Sequence, residues 1–190
     1  MFKKEGLALV IFHTIEEVVR MNMEPSRQEK IVIVDENDDV IGHKERGAIM
    51  QDDIYRVAAL WITNSNGDVL LAQRALTKLH DPGKWGPAVA GTVEQGEDYD
   101  MNIRKEAEEE IGLKNVQPKK VNKERVFGEH NHFTQWFLLE MDVPIDSFII
   151  NVDEVQAVQW FPKGQLLKEI ESAPDKFLGT MKQWAELFCK

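Results

Sequence analysis

Cysteine is almost missing from this 190-residue chain: Cys189 is the single one, so no internal disulfide can form. A chain of that kind fits a reducing compartment, most simply the cytoplasm. Long apolar runs are missing as well, and nothing approaches the ~20 residues that a membrane-crossing helix needs. Basic residues are in deficit, with 23 Lys and Arg against 33 Asp and Glu and a net charge of −10. Such a chain lacks the global field that draws in nucleic acid or an anionic membrane, so neither is expected as a partner. A small anionic substrate stays compatible with it, because a site needs only local positive charge and metal ions can supply that. Repeats and low-complexity tracts are absent too.

What remains is ordinary for one globular domain: 43% apolar and 29% charged residues, in a chain long enough for a real core. The start, Lys3-Lys4 followed by Leu7 to Phe12, looks like a weak signal peptide. Its apolar run is too short, however, and leads into Glu16, Glu17 and Arg20 without a small-residue cleavage site. Leu7, Ile11, Ile15, Val18 and Val19 recur at helical spacing until Pro25-Ser26. Residues 1–28 are therefore read as a helical appendage, either a cap on the domain or a homodimerisation element, and residues 29–190 as the domain itself.

Within the domain, Lys30 to Gly42 reads as a strand, a turn at residues 35–39 and a short return strand. Val57 to Gln73 is a clearer hairpin around Asn66-Gly67, a strong two-residue turn signal. Residues 75–91 read as a loop punctuated by Pro and Gly. The pattern predicts a helix over Tyr99–Ile111, closed by Gly112. Strands are predicted at Val121–Phe127, Phe133–Met141 and Val155–Phe161, and helices at Lys163–Glu171 and Asp175–Phe188. Hairpins outnumber βαβ units, which argues for an α+β fold with a mixed sheet between helices.

One stretch conflicts with local physics. Glu106, Glu108, Glu109 and Glu110 crowd the end of the predicted helix. Carboxylates three and four residues apart on a helix repel each other, and negative charge at a helix C-terminus opposes the macrodipole. Glu106, Glu109 and Glu110 share one helical face, whereas Glu108 points elsewhere. A divalent cation would resolve both conflicts, since Mg²⁺ prefers oxygen ligands and bridges carboxylates to phosphates. On the cluster alone a solvated acidic face is the commoner meaning.

The wider spacing reverses that balance. Gly91, Glu97 and the run Lys105-Glu106-Ala107-Glu108-Glu109-Glu110-Ile111-Gly112-Leu113 resemble the Nudix box, with Lys105 in place of the family's arginine. The resemblance implies a Nudix α/β/α sandwich and a hydrolase that cuts a diphosphate linkage with Mg²⁺, or Mn²⁺ in its stead. It implies Glu106, Glu109 and Glu110 as metal ligands, with Gly91 turning its loop and offering its carbonyl. It also implies that Glu97 pairs with residue 105 to orient the helix; lysine keeps the charge but loses the planar fork, so that brace is expected to be weaker.

Diphosphate hydrolysis needs neutralised phosphoryl charge, an oriented and deprotonated water, and a stabilised leaving phosphate; metal ions held by carboxylates serve all three. Glu106, Glu109 and Glu154 are the candidate general bases, ahead of Glu129 and Glu140. Arg74 is the first candidate for phosphate contact, because arginine grips phosphate bidentately. Lys78 and Arg56 are further substrate-binding candidates, although an ordinary solvated cation is the plainer reading of each. Alternation places His130 and His132 on one face. Trp61, Trp85, Trp136 and Trp160 are expected to pack rather than to react.

The layout of residues 30–100 looks most like the branch related to type I isopentenyl diphosphate isomerase, through Leu70-Leu71-Ala72-Gln73-Arg74-Ala75 and Pro82-Gly83-Lys84-Trp85. That enzyme uses a cysteine and a metal held largely by histidines. Here Ala90 stands at the cysteine position, Thr92 at the following histidine and Tyr55 at the upstream histidine, with His130 and His132 where its later glutamates fall. The expectation is a pyrophosphohydrolase acting on a nucleoside diphosphate or a nucleoside diphosphate-linked molecule. An isomerase-like enzyme and a non-catalytic nucleotide sensor are the alternatives.

Overall fold

The structure, a computed structural model, describes residues 29–128 and 130–189. The appendage expected over residues 1–28 lies outside the described residues, as does Glu129. Among the described residues no helix is long and apolar enough to cross a membrane.

Among the described residues nine strands form one mixed sheet. They are β1 (Lys30–Val34), β2 (Val40–Glu45), β3 (Ile54–Thr63), β4 (Val69–Arg74), β5 (Trp85–Pro87), β6 (Val89–Thr92), β7 (Lys119–Val126), β8 (His132–Glu140) and β9 (Val155–Phe161). The helices are α1 (Tyr99–Ile111), α2 (Lys163–Ser172) and α3 (Met181–Phe188). Two sequence expectations need correction. The segment read as a loop over residues 75–91 contains β5 and the start of β6, too short for periodicity to reveal. The last helix begins at Met181 rather than Asp175, because Pro174–Lys176 forms a separate 3-10 turn.

Strand β3 organises the sheet. One edge pairs in parallel with β8 along the whole run from Tyr55–His132 to Thr63–Glu140. The other edge is divided among three antiparallel partners: β1 at Val34–Ile54, β6 at Val57–Thr92 through Leu60–Val89, and β4 at Ile62–Leu70. Both faces of β3 are covered, so Ala58-Ala59-Leu60-Trp61-Ile62 is apolar without alternation. Ala58, Leu60 and Ile62 pack with Ile103, Ala107 and Ile111 of α1. Ala59 and Trp61 pack with Leu166, Met181 and Ala185 of the C-terminal helices. The helix–sheet–helix layering expected of the chain is therefore present.

Helix α1 is capped at both ends by local chemistry. Asp98 accepts a hydrogen bond from the Met101 amide at 2.8 Å, an N-cap contact. Gly112 takes φ 74° at the other end, with Gly112 N–H donating to Glu108, the 5→1 bond of an αL cap, and Leu113 N–H to Ala107. The last carbonyls of α1 are then met by a distant segment. The Ile149 amide donates to Ile111 at 3.1 Å and the Asn151 amide to Glu110 at 2.9 Å. That contact ties the loop before β9 to the glutamate end of α1.

Candidate active site

Strands β3 and β4 pair over only two residues and then part, with β6 continuing along β3 and β5 along β4. A cleft of about 960 Å³ opens there. Glu106, Glu109 and Glu110 line it from α1, and Gly91 and Ala90 from β6. Arg74, at the end of β4, and Lys78, on the next loop, line it as well. Glu154 reaches it from the loop before β9, and Trp184 from α3. The structure thus gathers around one cavity Glu106, Glu109, Glu110, Gly91, Glu154, Arg74 and Lys78, and leaves Arg56 and Glu140 outside its lining.

Arg56 requires a correction. It lies on the α1 face of β3, between Tyr55 and Val57, which face the cleft. Its Nε donates to Asp38 Oδ1 at 2.7 Å, and its guanidinium sits 5.1 Å from the Tyr99 ring centroid. Strand alternation sends its side chain to the face opposite Tyr55 and Val57, outside the cleft lining. Gly91 also differs from expectation: it does not turn a loop but lies within β6, paired with Ala58. Its lack of a side chain serves close approach, because a Cβ there would meet Glu106 Cγ at 2.3 Å.

The carboxylates are electrostatically crowded. Burial pushes the Glu106 carboxyl up to about 7, opposed by Lys105 and reinforced by Glu109, Glu94 and Glu97. Burial also drives Glu110 well above the usual carboxylate range, and the charges of Glu106 and Glu154 add to it. A hydrogen bond from the Ala90 backbone and the charge of Lys78 only partly offset this. Lys78 forms an ion pair with Glu154, and the Ala75 amide donates to the Glu154 carbonyl at 3.0 Å. Arg74 donates from Nε to the His80 carbonyl at 3.0 Å.

Lys105 braces the loop before α1. Its ammonium lies 2.5 Å from Glu94 and 2.9 Å from Glu97. Burial by itself would lower the lysine pKa, but those two hydrogen bonds override it and the ammonium is held charged. Glu97 further accepts from the Glu94 amide at 3.1 Å and from Asn102 Nδ2 at 2.9 Å. Glu108 points away from the cleft, paired with Lys114 at 3.2 Å on the surface.

Among the described residues no three His, Cys, Asp or Glu side chains stand together as a finished metal centre. The chemistry of the donor set nevertheless suits a hard divalent ion. All the donors are oxygens, two carboxylates carry raised pKa values from burial and mutual charge, and the exposed Glu109 lines the same cleft. A cation among them would relieve the crowding that burial creates.

The rest of the cleft mixes aromatic and apolar side chains with polar ones such as Gln73, Thr134 and Asn151. His132 stacks on Tyr55 with centroids 5.3 Å apart, and His130 meets His80 edge-on at 5.3 Å. Burial holds the His132 imidazole below its ordinary pKa, so it is neutral near pH 7. Trp136 and Trp184 both donate their indole N–H to Glu124 Oε1, at 3.3 and 3.2 Å, which fixes the tail helix against the cleft floor. Trp85 packs edge-on against Phe161 at 5.2 Å and is structural, as expected. Sequence reading overlooked Asn102, Glu94, Arg46 and Trp184. Of these only Asn102 left a signal, as a polar residue on the apolar face of α1.

The chain matches the NUDIX domain family over residues 54–181. It is 26% identical over 161 residues to an isopentenyl-diphosphate Delta-isomerase of Enterobacter sp. (strain 638), covering 80% of this chain and 86% of the relative. It is also 26% identical over 164 residues to an uncharacterised Nudix hydrolase of Yersinia pestis, covering 82% and 85%. The crystal structure of DR0079 from Deinococcus radiodurans superposes with a TM-score of 0.72 at 22% identity, covering 85% of this chain and 100% of that one, a likeness of fold.

Proposed function

The chain belongs to the NUDIX family of hydrolases, and from that premise we infer that it is a Mg²⁺-dependent pyrophosphohydrolase, with Mn²⁺ able to substitute. Its substrate is a nucleoside diphosphate or a nucleoside diphosphate linked to a second group. The observation that carries this reading is the gathering of both charge signs around one cleft. Glu106, Glu109, Glu110 and Glu154 line the same cleft as Arg74 and Lys78.

Glu106, Glu109 and Glu110 would hold the cation, with the Gly91 carbonyl as a further oxygen. When bound, the cation supplies Lewis acidity at the phosphoryl oxygens and lowers the pKa of a water. Arg74 and Lys78 neutralise the substrate phosphates and hold the reacting phosphorus in line. Glu154 accepts the proton as the water oxygen forms its bond to phosphorus and the bridging P–O bond breaks. The departing phosphate takes the electron pair of that bond. The aromatic end, with Tyr55, His132 and Trp184, excludes water and supplies flat surfaces for a nucleoside.

The isomerase reading has relatives of that name in its favour. The cleft weighs against it. Ala90, Thr92 and Tyr55 line it where the isomerase chemistry needs cysteine and histidines. Cys189 packs instead in the apolar cluster under the tail helices.

The deciding experiment incubates the protein with nucleotide and diphosphate substrates, with Mg²⁺ and with chelator, and reads phosphate before and after added phosphatase. Release only after phosphatase marks cleavage into two monoesters. Glu110→Gln is expected to lower turnover by about a hundredfold, ~2.7 kcal/mol of transition-state stabilisation. Wild-type turnover in that variant or in chelator would sink the reading. Tight nucleotide binding with no turnover would favour a sensor, and conversion of isopentenyl diphosphate an isomerase.

A further inference from the structure

Glu97 accepts donors on both of its carboxylate oxygens, and they come from two different side chains. Lys105 Nζ approaches Oε1 at 2.9 Å, and Asn102 Nδ2 donates to Oε2 at 2.9 Å. An arginine would present both donors from one rigid guanidinium. We propose that Asn102 is a positioning residue that completes, with Lys105, a split fork on Glu97 and steers the Glu106 carboxylate. This inference rests on the reading of Glu106 as a metal ligand.

The donor count leads to that assignment. A lysine ammonium carries its donors at a single point. Two of its three donors go to Glu94 at 2.5 Å and Glu97 at 2.9 Å, and Glu106 Oε1 stands 3.8 Å away, beyond hydrogen-bond reach. Lys105 thus attracts Glu106 without orienting it. Asn102 lies one helical turn before Glu106 on the same face, and its Nδ2 donates to Glu106 Oε1 at 3.2 Å. The same nitrogen donates to the Thr92 carbonyl at 3.1 Å, which anchors the amide to β6. All three neighbours of Nδ2 are acceptors, so the amide has one sensible orientation, with its two N–H groups shared among the three oxygens.

The residue is costly by other measures. Asn102 is 0% exposed, and its Oδ1 has no hydrogen-bond partner among the described residues. Asparagine is also a poor helix former that competes with the backbone for hydrogen bonds. Its neighbours on this face, Ile103 and Ala107, pack apolar surface against the sheet. A residue kept for packing or helix propensity would be alanine or leucine. What asparagine adds at this place is the NH₂ group between Glu97 and Glu106.

The test is a mutant cycle of Asn102→Leu, which matches the side chain in size and removes its donors, with Lys105→Arg, which restores a planar fork. Two readouts are taken: Mn²⁺ binding by direct titration, and thermal unfolding in chelator. Asn102→Leu is expected to weaken Mn²⁺ binding by about tenfold. Adding Lys105→Arg is expected to bring affinity back to within about twofold of wild type and to recover the lost unfolding temperature, a non-additivity that distant sites do not show. Should Asn102→Leu not fold, Asn102→Ala takes its place in the cycle.

Wild-type Mn²⁺ affinity in the Asn102 variant, or failure of Lys105→Arg to rescue it, overturns the proposal. If the wild-type protein binds no Mn²⁺, the metal reading fails separately, and the unfolding cycle in chelator decides the fork. Recovery of unfolding temperature by Lys105→Arg supports the fork, and simple additivity overturns it.

Discussion

Gly91 and Glu106 are in such close contact that a Cβ at position 91 would stand 2.3 Å from Glu106 Cγ. The glycine is in extended backbone, so its role is to let α1 lie against β6. Gly91→Ala must therefore push the Glu106 side chain aside while the strand pairing persists. A displacement of about 1 Å in a catalytic group costs on the order of a hundredfold in rate. We expect kcat to fall by that order, with far-ultraviolet circular dichroism unchanged; full activity in the variant would refute the placement of Glu106.

The Glu106 carboxyl, pushed up to about 7 mainly by burial, has a signed consequence for stability. A carboxyl with a raised folded-state pKa contributes stability that is present below its unfolded value of 4.5 and lost as pH rises through about 7. In metal-free buffer, Glu106→Gln should remove that loss. The variant should then melt above wild type at pH 8 by about 5 °C, on the order of 2 kcal/mol, and the gap should close at pH 4. Parallel melting curves across that range would contradict the burial argument.

Arg56 belongs to a structural hub. Burial tends to raise the Asp38 carboxyl, but hydrogen bonds from Lys123 and Arg56 overrule it and leave it below the usual range. Asp38 sits at φ 64°, in the left-handed region, and also accepts from the Tyr99 hydroxyl at 3.1 Å. Arg56→Met should cost about 3 kcal/mol by leaving a buried carboxylate short of a partner. KM for a diphosphate substrate should not change. The Asp38 contribution is present above its unfolded value of 3.8 and lost as pH falls through the lower folded value, so the gap should narrow in acid. A raised KM in Arg56→Met would return this residue to the substrate site.

Lys78 and Glu154 face Glu110 as an ion pair, and their roles separate kinetically. If Glu154 takes the proton from water, Glu154→Gln lowers kcat by about 10²–10⁴ at nearly constant KM. Lys78→Ala, which removes substrate charge neutralisation, should chiefly raise KM. Equal losses in the same parameter would mean that the pair acts only as a structural clamp.

Most of the local structure was legible from neighbours along the chain. Tyr99–Ile111 was readable to the residue because helical periodicity, Gly112 and the acidic run all act within a few positions. The hairpin at Asn66-Gly67 was readable for the same reason. The short strands β5 and β6 were not, since three or four residues carry no period and acquire strand geometry only by pairing with β4 and β3. The exclusion of Arg56 was hidden too, because which face of β3 meets the cleft depends on partners far away in sequence.

The chain by itself determined its family, its helix and strand periods, and the crowding of glutamates on one helical turn, all consequences of spacing along a backbone. Only the tertiary structure decided that Glu154 stands beside Glu110. The Asn151 amide must first satisfy a carbonyl at the end of α1, a hydrogen bond across 41 positions. It likewise decided that Asn102 faces Glu97 and Glu106 with its Oδ1 unpaired. Side-chain contacts of that kind depend on how layers dock, and docking is set by the packing of the whole core.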